Sequence, residues 1–197
     1  MIVAAHQTML APQVAPLPYD AEIEYLQSTG AQWIDMGVGP TTGAVAFDYT
    51  ISAYANSAGV FGQQITGDRI LLWIDSAASG YFDRGSSGSR ISYSSADFSR
   101  TKTAYDAPSA PAPRYLYTTA NSNGSARTTR ARVQLRYFQL WDENDVLVRD
   151  FIPVRVGSGS SAVGYLYDRA NPTGGPNGNG LYGNAGSGSF TVGPDKT

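Results

Sequence analysis

The sequence predicts an all-β fold, an antiparallel β-sandwich preceded by an extended arm, and three observations carry that prediction. Short apolar runs recur between Gly, Ser, Asn and Asp, the spacing of a multi-stranded sandwich. AVAFDYTISAY places Val45, Phe47, Tyr49 and Ile51 on one face with period two, the pattern of a half-buried strand. In RVQLRYFQLWDENDVLVRDFIPV, two strand patterns flank a turn at Asp142 to Asp145, which reads as a hairpin.

With 197 residues the chain has room for one domain and some sequence besides. Residues 1–20 read as the arm and residues 21–197 as the sandwich. Pro12, Pro16 and Pro18 each fix φ and remove a donor, so the arm is extended rather than helical. It still carries Ile2, Val3, Met9, Leu10, Val14 and Leu17, which a solvated linker does not need, so these residues are expected to anchor the arm on its own domain or on a partner. The segment lacks a basic n-region and is expected to be mature chain rather than a signal peptide.

From Ala21, AEIEYLQS and QWIDMGV are separated by turn residues Ser28, Thr29 and Gly30 and read as a hairpin. AGVFGQQ, RILLWID and SGYFDRG are further strands, with Trp73 expected in the core beside Leu71, Leu72 and Ile74. Pro108, Pro111 and Pro113 mark a loop or an edge crossing. Asn123 and Gly124 suit a tight turn. In the hairpin, Val133, Leu135 and Tyr137 are expected to oppose Arg132, Gln134 and Arg136. The glycine-rich tail from Gly157 is expected to return as short strands at GYLYD and SFTV.

EYLQSTGAQWIDMGV (Glu24 to Val38) resembles the opening motif of concanavalin A-like, laminin-G-like domains common in bacteriophages and gut bacteria. The resemblance resumes in order at Tyr115 to Ala126, Tyr137 to Arg155, GYLYDR, and Leu181 to Asp195, covering most of residues 24–195. It implies a jelly-roll sandwich and says little about ligand. The loop ANPTGGPNGNG and the arm before Asp20 depart from the family pattern.

Composition narrows the chemistry. A formal net charge of −2 argues against nucleic acid as a partner, and no apolar run suits a membrane-spanning helix, so no membrane partner is expected. Without cysteine there are no disulfides or thiolate metal sites, which leaves the redox compartment open. Glycoside hydrolysis uses two facing carboxylates. Glu22, Glu24 and Glu143 form no clustered pattern, and nothing in their spacing pairs Asp75 with Asp83. The single histidine, His6, lies in the arm, away from any expected pocket, so no nucleophile with its base and no zinc site is expected.

GNGLYG (Gly178 to Gly183) matches a dinucleotide fingerprint but lacks its strand and helix, and reads as a loop. Asp142, Asn144 and Asp145 do not complete a calcium loop, so calcium is not indicated, although a site assembled from distant loops stays open. Asn123-Gly124-Ser125 matches a glycosylation acceptor, for which the turn suffices as an explanation.

Arg130, Arg132 and Arg136 are expected to share one strand face. They suit an anionic glycan, an acidic partner, or simply the charged wet side of a sheet. Tyr81, Tyr93 and Tyr105 lie beside loop signals and are candidates for stacking on sugar rings.

The expected function is a non-enzymatic virion component, a capsid decoration or fibre-like protein. Its arm would grip a capsid or other virion protein, and its lectin-like sandwich would face host or mucosal glycans, within a homo-oligomer or a larger assembly at the virion surface. The alternative is an extracellular carbohydrate-binding module of a bacterium, and a glycosidase ranks last.

Overall fold

The computed structural model describes residues 16–38, 43–53, 58–65, 68–74, 80–86, 90–93, 97–105, 115–119 and 125–197. Among them the strands are β1 (Ala21–Glu22), β2 (Leu26–Gln27), β3 (Ile34–Asp35), β4 (Gly43–Ala53), β5 (Ala58–Ile65), β6 (Asp68–Ile74), β7 (Gly80–Ser86) and β8 (Ile91–Tyr93). They continue with β9 (Asp97–Tyr105), β10 (Tyr115–Leu116), β11 (Arg132–Trp141), β12 (Leu147–Val156), β13 (Val163–Asp168), β14 (Leu181–Tyr182) and β15 (Thr191–Val192). The described helical structure is one 3-10 turn, Gly159–Ser161. No described helix is long and apolar enough to cross a membrane.

The strands form two antiparallel sheets, as the composition predicts. The smaller runs β3-β10-β5-β6-β7-β8. In the larger, β9, β4 and β11 lie side by side, and beyond them the β11–β12 hairpin parts. Phe138 to Trp141 pair with β12, whereas Gln134 and Leu135 pair with β2. Residues 20–28 bridge the parted strands, bonding to β12 through β1 and then to β11 through β2. The C-terminal segment runs antiparallel beside them, with Ile23 opposite Asp195 and the Lys196 N–H donating to the Glu22 carbonyl at 2.9 Å. An ion pair closes this clasp: Arg155 donates twice to Asp195, each time at 2.7 Å, and holds its carboxyl below the usual range.

One core lies between the sheets. Val45, Phe47, Tyr49 and Ile51 are buried in it, as their alternation predicts. Phe47 meets Phe82 edge to face at 5.9 Å between centroids, and Phe61 meets Phe138 at 4.7 Å, each pair joining one ring from either sheet. Polar ties reinforce these contacts. Tyr117, in the left-handed region at φ 66°, donates from its buried hydroxyl to the Leu26 carbonyl at 2.7 Å. Arg149 of β12 donates through Nε and Nη2 to the Met36 carbonyl, at 3.1 and 2.9 Å, fastening the segment after β3 to the larger sheet. Its charge is met by the fully buried Asp168 at 3.5 Å, whose Oδ1 accepts the N–H groups of Asp150 and Ala170.

Gly62 shows how closely β5 and β6 approach. Its φ is +106°, and an added Cβ would stand 1.9 Å from the Ile70 carbonyl oxygen, so no other residue fits there.

Several expectations need correction. Residues 21–38 do not form a hairpin, because β2 joins the larger sheet and β3 the smaller one. The Ser28 to Gly30 turn is instead tied down by Gln32, whose Oε1 accepts the Thr29 N–H at 2.8 Å while Nε2 donates to the Ser187 carbonyl at 3.2 Å. Trp73 is only half-buried: Ile70, Leu72 and Ile74 face the core, so Trp73 faces outward. The Asp142 turn does close the β11–β12 hairpin, its Oδ1 accepting the N–H groups of Asn144 and Val146 at 2.9 Å. Short strands return at β13 and β15. The prolines at 108, 111 and 113, the Asn123-Gly124 pair and Asp75 lie outside the described residues.

Two outcomes are expected. Arg149→Ala leaves Asp168 buried without its counter-charge and lowers stability by about 3–5 kcal/mol, measured by urea unfolding. Burial holds the Tyr49 and Tyr117 hydroxyls well above their usual pKa, so the folded chain keeps both neutral while the unfolded chain ionises near pH 10. Stability is therefore full below that pH and falls as pH rises above it. In a spectrophotometric titration these two tyrosines should ionise only together with alkaline unfolding.

Candidate functional site

The candidate site begins with a break in the alternation of β11. Val133 and Leu135 face the core, and so do Phe138 and Leu140, which are out of phase with the first pair. The phase changes at a β-bulge, where Leu135 pairs with Tyr49 and Tyr137 with Asp48, leaving Arg136 as the extra residue. Arg136 and Tyr137 are both half-buried outside the core, which corrects the expectation that Tyr137 lines it with Val133 and Leu135. A second irregularity, where β4 pairs with β9 between Val45 and Phe47, flanks the same stretch of β4. Bulges bend the strands that carry them, so the sheet is deformed here from both sides.

Above this stretch lies an open groove of about 530 Å³. Arg136, Tyr137 and Gln139 come from β11 and Ile152 from β12; Arg169 follows β13, and the terminal segments add Glu24 and Lys196. Its polar groups hold one another in place. Arg136 pairs with Asp48 at 3.2 Å. Asp150 accepts from Arg169 Nε at 2.9 Å and Nη2 at 3.1 Å, and from Gln139 Nε2 at 3.0 Å. Those bonds push the Arg169 guanidinium still higher than its ordinary range. Lys196 stands 3.7 Å from Glu22, and the Tyr137 hydroxyl donates to the Arg100 carbonyl at 3.4 Å. The groove thus presents fixed donors and acceptors beside the apolar surfaces of Ile152 and Tyr137.

An apolar patch adjoins the groove on the same outer face. Ile152, Val154, Tyr167 and Leu181 cluster there, and the Tyr19 ring packs on Tyr167 at 5.0 Å between centroids. Burial, followed by the nearby Glu22, raises the Tyr19 pKa.

The residues singled out from sequence are not brought together. Arg136 lines the groove, and Arg132 is exposed at the start of β11 beside Gly30. Arg130 precedes the strand and donates to the carbonyls of Arg127 at 3.2 Å and Ala31 at 2.6 Å, so the three arginines form no single charged patch. Tyr81 lies on the smaller sheet against Trp73, with Arg90 above both rings and bonded through Nε to Asp83 at 2.6 Å. Tyr93 is half-buried against Phe98 and accepts from Arg100 Nε at 3.0 Å. Tyr105 is 4% exposed and belongs to the core, which removes it as a contact residue.

GNGLYG forms the turn that enters β14, with Gly178 and Gly180 at positive φ. No three metal-ligating side chains converge among the described residues. Of the arm residues, Leu17 is 60% exposed, while Ile2, Val3, Met9, Leu10, Val14 and His6 lie outside the described residues.

Gln139, Asp150, Arg169 and Lys196 were missed. Gln139 and Asp150 sit opposite one another across the β11–β12 hairpin, so counting outward from its turn would have paired them. Arg169 and Lys196 follow from long-range pairing alone.

Since the Arg136–Asp48 pair is partly exposed, Arg136→Gln should change stability by less than about 1 kcal/mol in urea unfolding. A larger loss would mean that Arg136 serves the fold rather than the groove. No protein family model, curated protein or solved structure matches the chain.

Proposed function

We propose that the chain is a non-enzymatic component of a bacteriophage virion, a jelly-roll sandwich of the concanavalin A-like kind tethered by residues 1–20 and binding host or mucosal glycans through its groove. The observation that carries this reading is the clasp at the start of the sandwich. Tyr19 packs on Tyr167, the Asp20 N–H donates to the Arg155 carbonyl at 2.9 Å, and its carboxylate accepts the Gly157 N–H at 2.7 Å. A pull on the arm therefore passes into β12 rather than into a loose linker. Leu17, exposed just before the clasp, offers apolar surface where a partner would meet the domain.

The groove chemistry supports binding over hydrolysis. Both oxygens of Asp150 are engaged by Arg169 and Gln139, and Asp48 is paired with Arg136, which leaves Glu24 as the carboxylate on the wall. Hydrolysis of a glycosidic bond uses two carboxylates facing each other across the sugar.

Cosedimentation with purified virus particles tests the tether. The intact chain should band with the particles, and a chain lacking residues 1–16 should stay in the supernatant. Equal banding of both would overturn the tether. Hydrolysis of a polysaccharide, abolished by Glu24→Gln, would overturn the non-enzymatic assignment.

A further inference from the structure

We infer that the groove takes an uncharged, polyhydroxylated saccharide and disfavours an acidic one. This rests on the reading of the domain as glycan-binding and narrows the class of glycan. The groove's rim looks basic, with Arg136, Arg169 and Lys196 among its lining residues. Each of these cations already has a counter-charge: Asp48 at 3.2 Å, Asp150 at 2.9 Å and Glu22 at 3.7 Å. Glu24 adds a fourth carboxylate on the wall. Three cations thus face four carboxylates among the described residues that line or brace the groove. An incoming carboxylate or sulfate would share each cation with a carboxylate already paired to it and would meet a negative surplus.

A sugar hydroxyl makes different demands. It donates one hydrogen bond and accepts others, so it is best met where a donor and an acceptor stand side by side. Gln139, Arg169 and Arg136 line the groove as planar groups held in position by Asp150 and Asp48, and Glu24 on the same wall adds an acceptor beside them. Ordering these groups before the ligand arrives spares binding part of its entropic cost. Ile152 and the Tyr137 ring offer apolar surface to the C–H face of a pyranose. An uncharged ligand also makes binding nearly independent of salt, whereas screening weakens attraction between charges.

The test is titration of the isotopically labelled full chain, followed by amide NMR shifts at low and high salt. The probes are neutral gluco-, galacto- and manno-oligosaccharides, with oligogalacturonate and sialyllactose as acidic counterparts. The inference expects a neutral probe to shift Arg136, Tyr137, Gln139 and Arg169, with Kd changing less than about twofold between the two salts. Gln139→Ala should weaken that binding about tenfold while leaving shifts outside the groove unchanged. Tighter binding of an acidic probe, weakened by salt, would overturn the neutral preference and leave the glycan-binding reading standing. Shifts confined to another region, such as Trp73 and Tyr81, would overturn the groove as the site. No shift with any probe would overturn both the inference and the glycan-binding reading.

Discussion

The structure depends on β11 keeping four apolar side chains in the core across a break in its own alternation. Val133 and Leu135 are in one phase and Phe138 and Leu140 in the other, and all four are buried. A strand with strict period two would turn one of these pairs to water, at roughly 1.5–3 kcal/mol for each side chain exposed. The bulge at Arg136 resolves that conflict, so burial in the core and the outward aim of Arg136 and Tyr137 are consequences of one extra residue. The site is thus held by side chains of the same strand that are buried in the core.

With no cysteine in the chain, the two sheets rely on their shared core and on a few polar ties. Tyr117 reaches across to the backbone of β2, and Arg149 reaches from β12 to the Met36 carbonyl. A buried guanidinium on a carbonyl and a buried carboxylate cannot shift independently, because either one left alone in the interior is costly. These ties do what aromatic packing cannot, which is to fix the lateral position of one sheet on the other. The outer face of the larger sheet then carries two features close together, the groove and the clasp at Tyr19. Ile152 lines the first and pairs along the backbone with Tyr167, which supports the second.

Much of this architecture was legible in the sequence because it depends on local pattern. The alternation of residues 45–51, the Asp142 turn and the two short returning strands need only side-chain period and turn chemistry. The bulge was legible too, since Val133 and Leu135 are followed by Phe138 and Leu140 with two residues between the pairs, but a period-two reading carried through Tyr137 passes over it. What could not be read is which sheet each short strand joins. β2 and β3 are divided by a good turn sequence, yet β2 bonds to β11, more than a hundred positions away, and β3 to β10. The site inherits this limit. Lys196 and Glu24 join Gln139 in the groove only because the terminal segments return to the hairpin, and Arg169 because β13 pairs with β12, while Tyr105, a candidate for sugar stacking because it lies beside loop signals, has its ring in the core.

The pairing of Ile23 with Asp195 has an architectural consequence. The segments around Ile23 and Asp195 run side by side, so the first and last described stretches of the sandwich meet at one place. Such a unit can be spliced into a surface loop of another protein without prising that loop apart, or cut open elsewhere and rejoined across its ends with a short bridge.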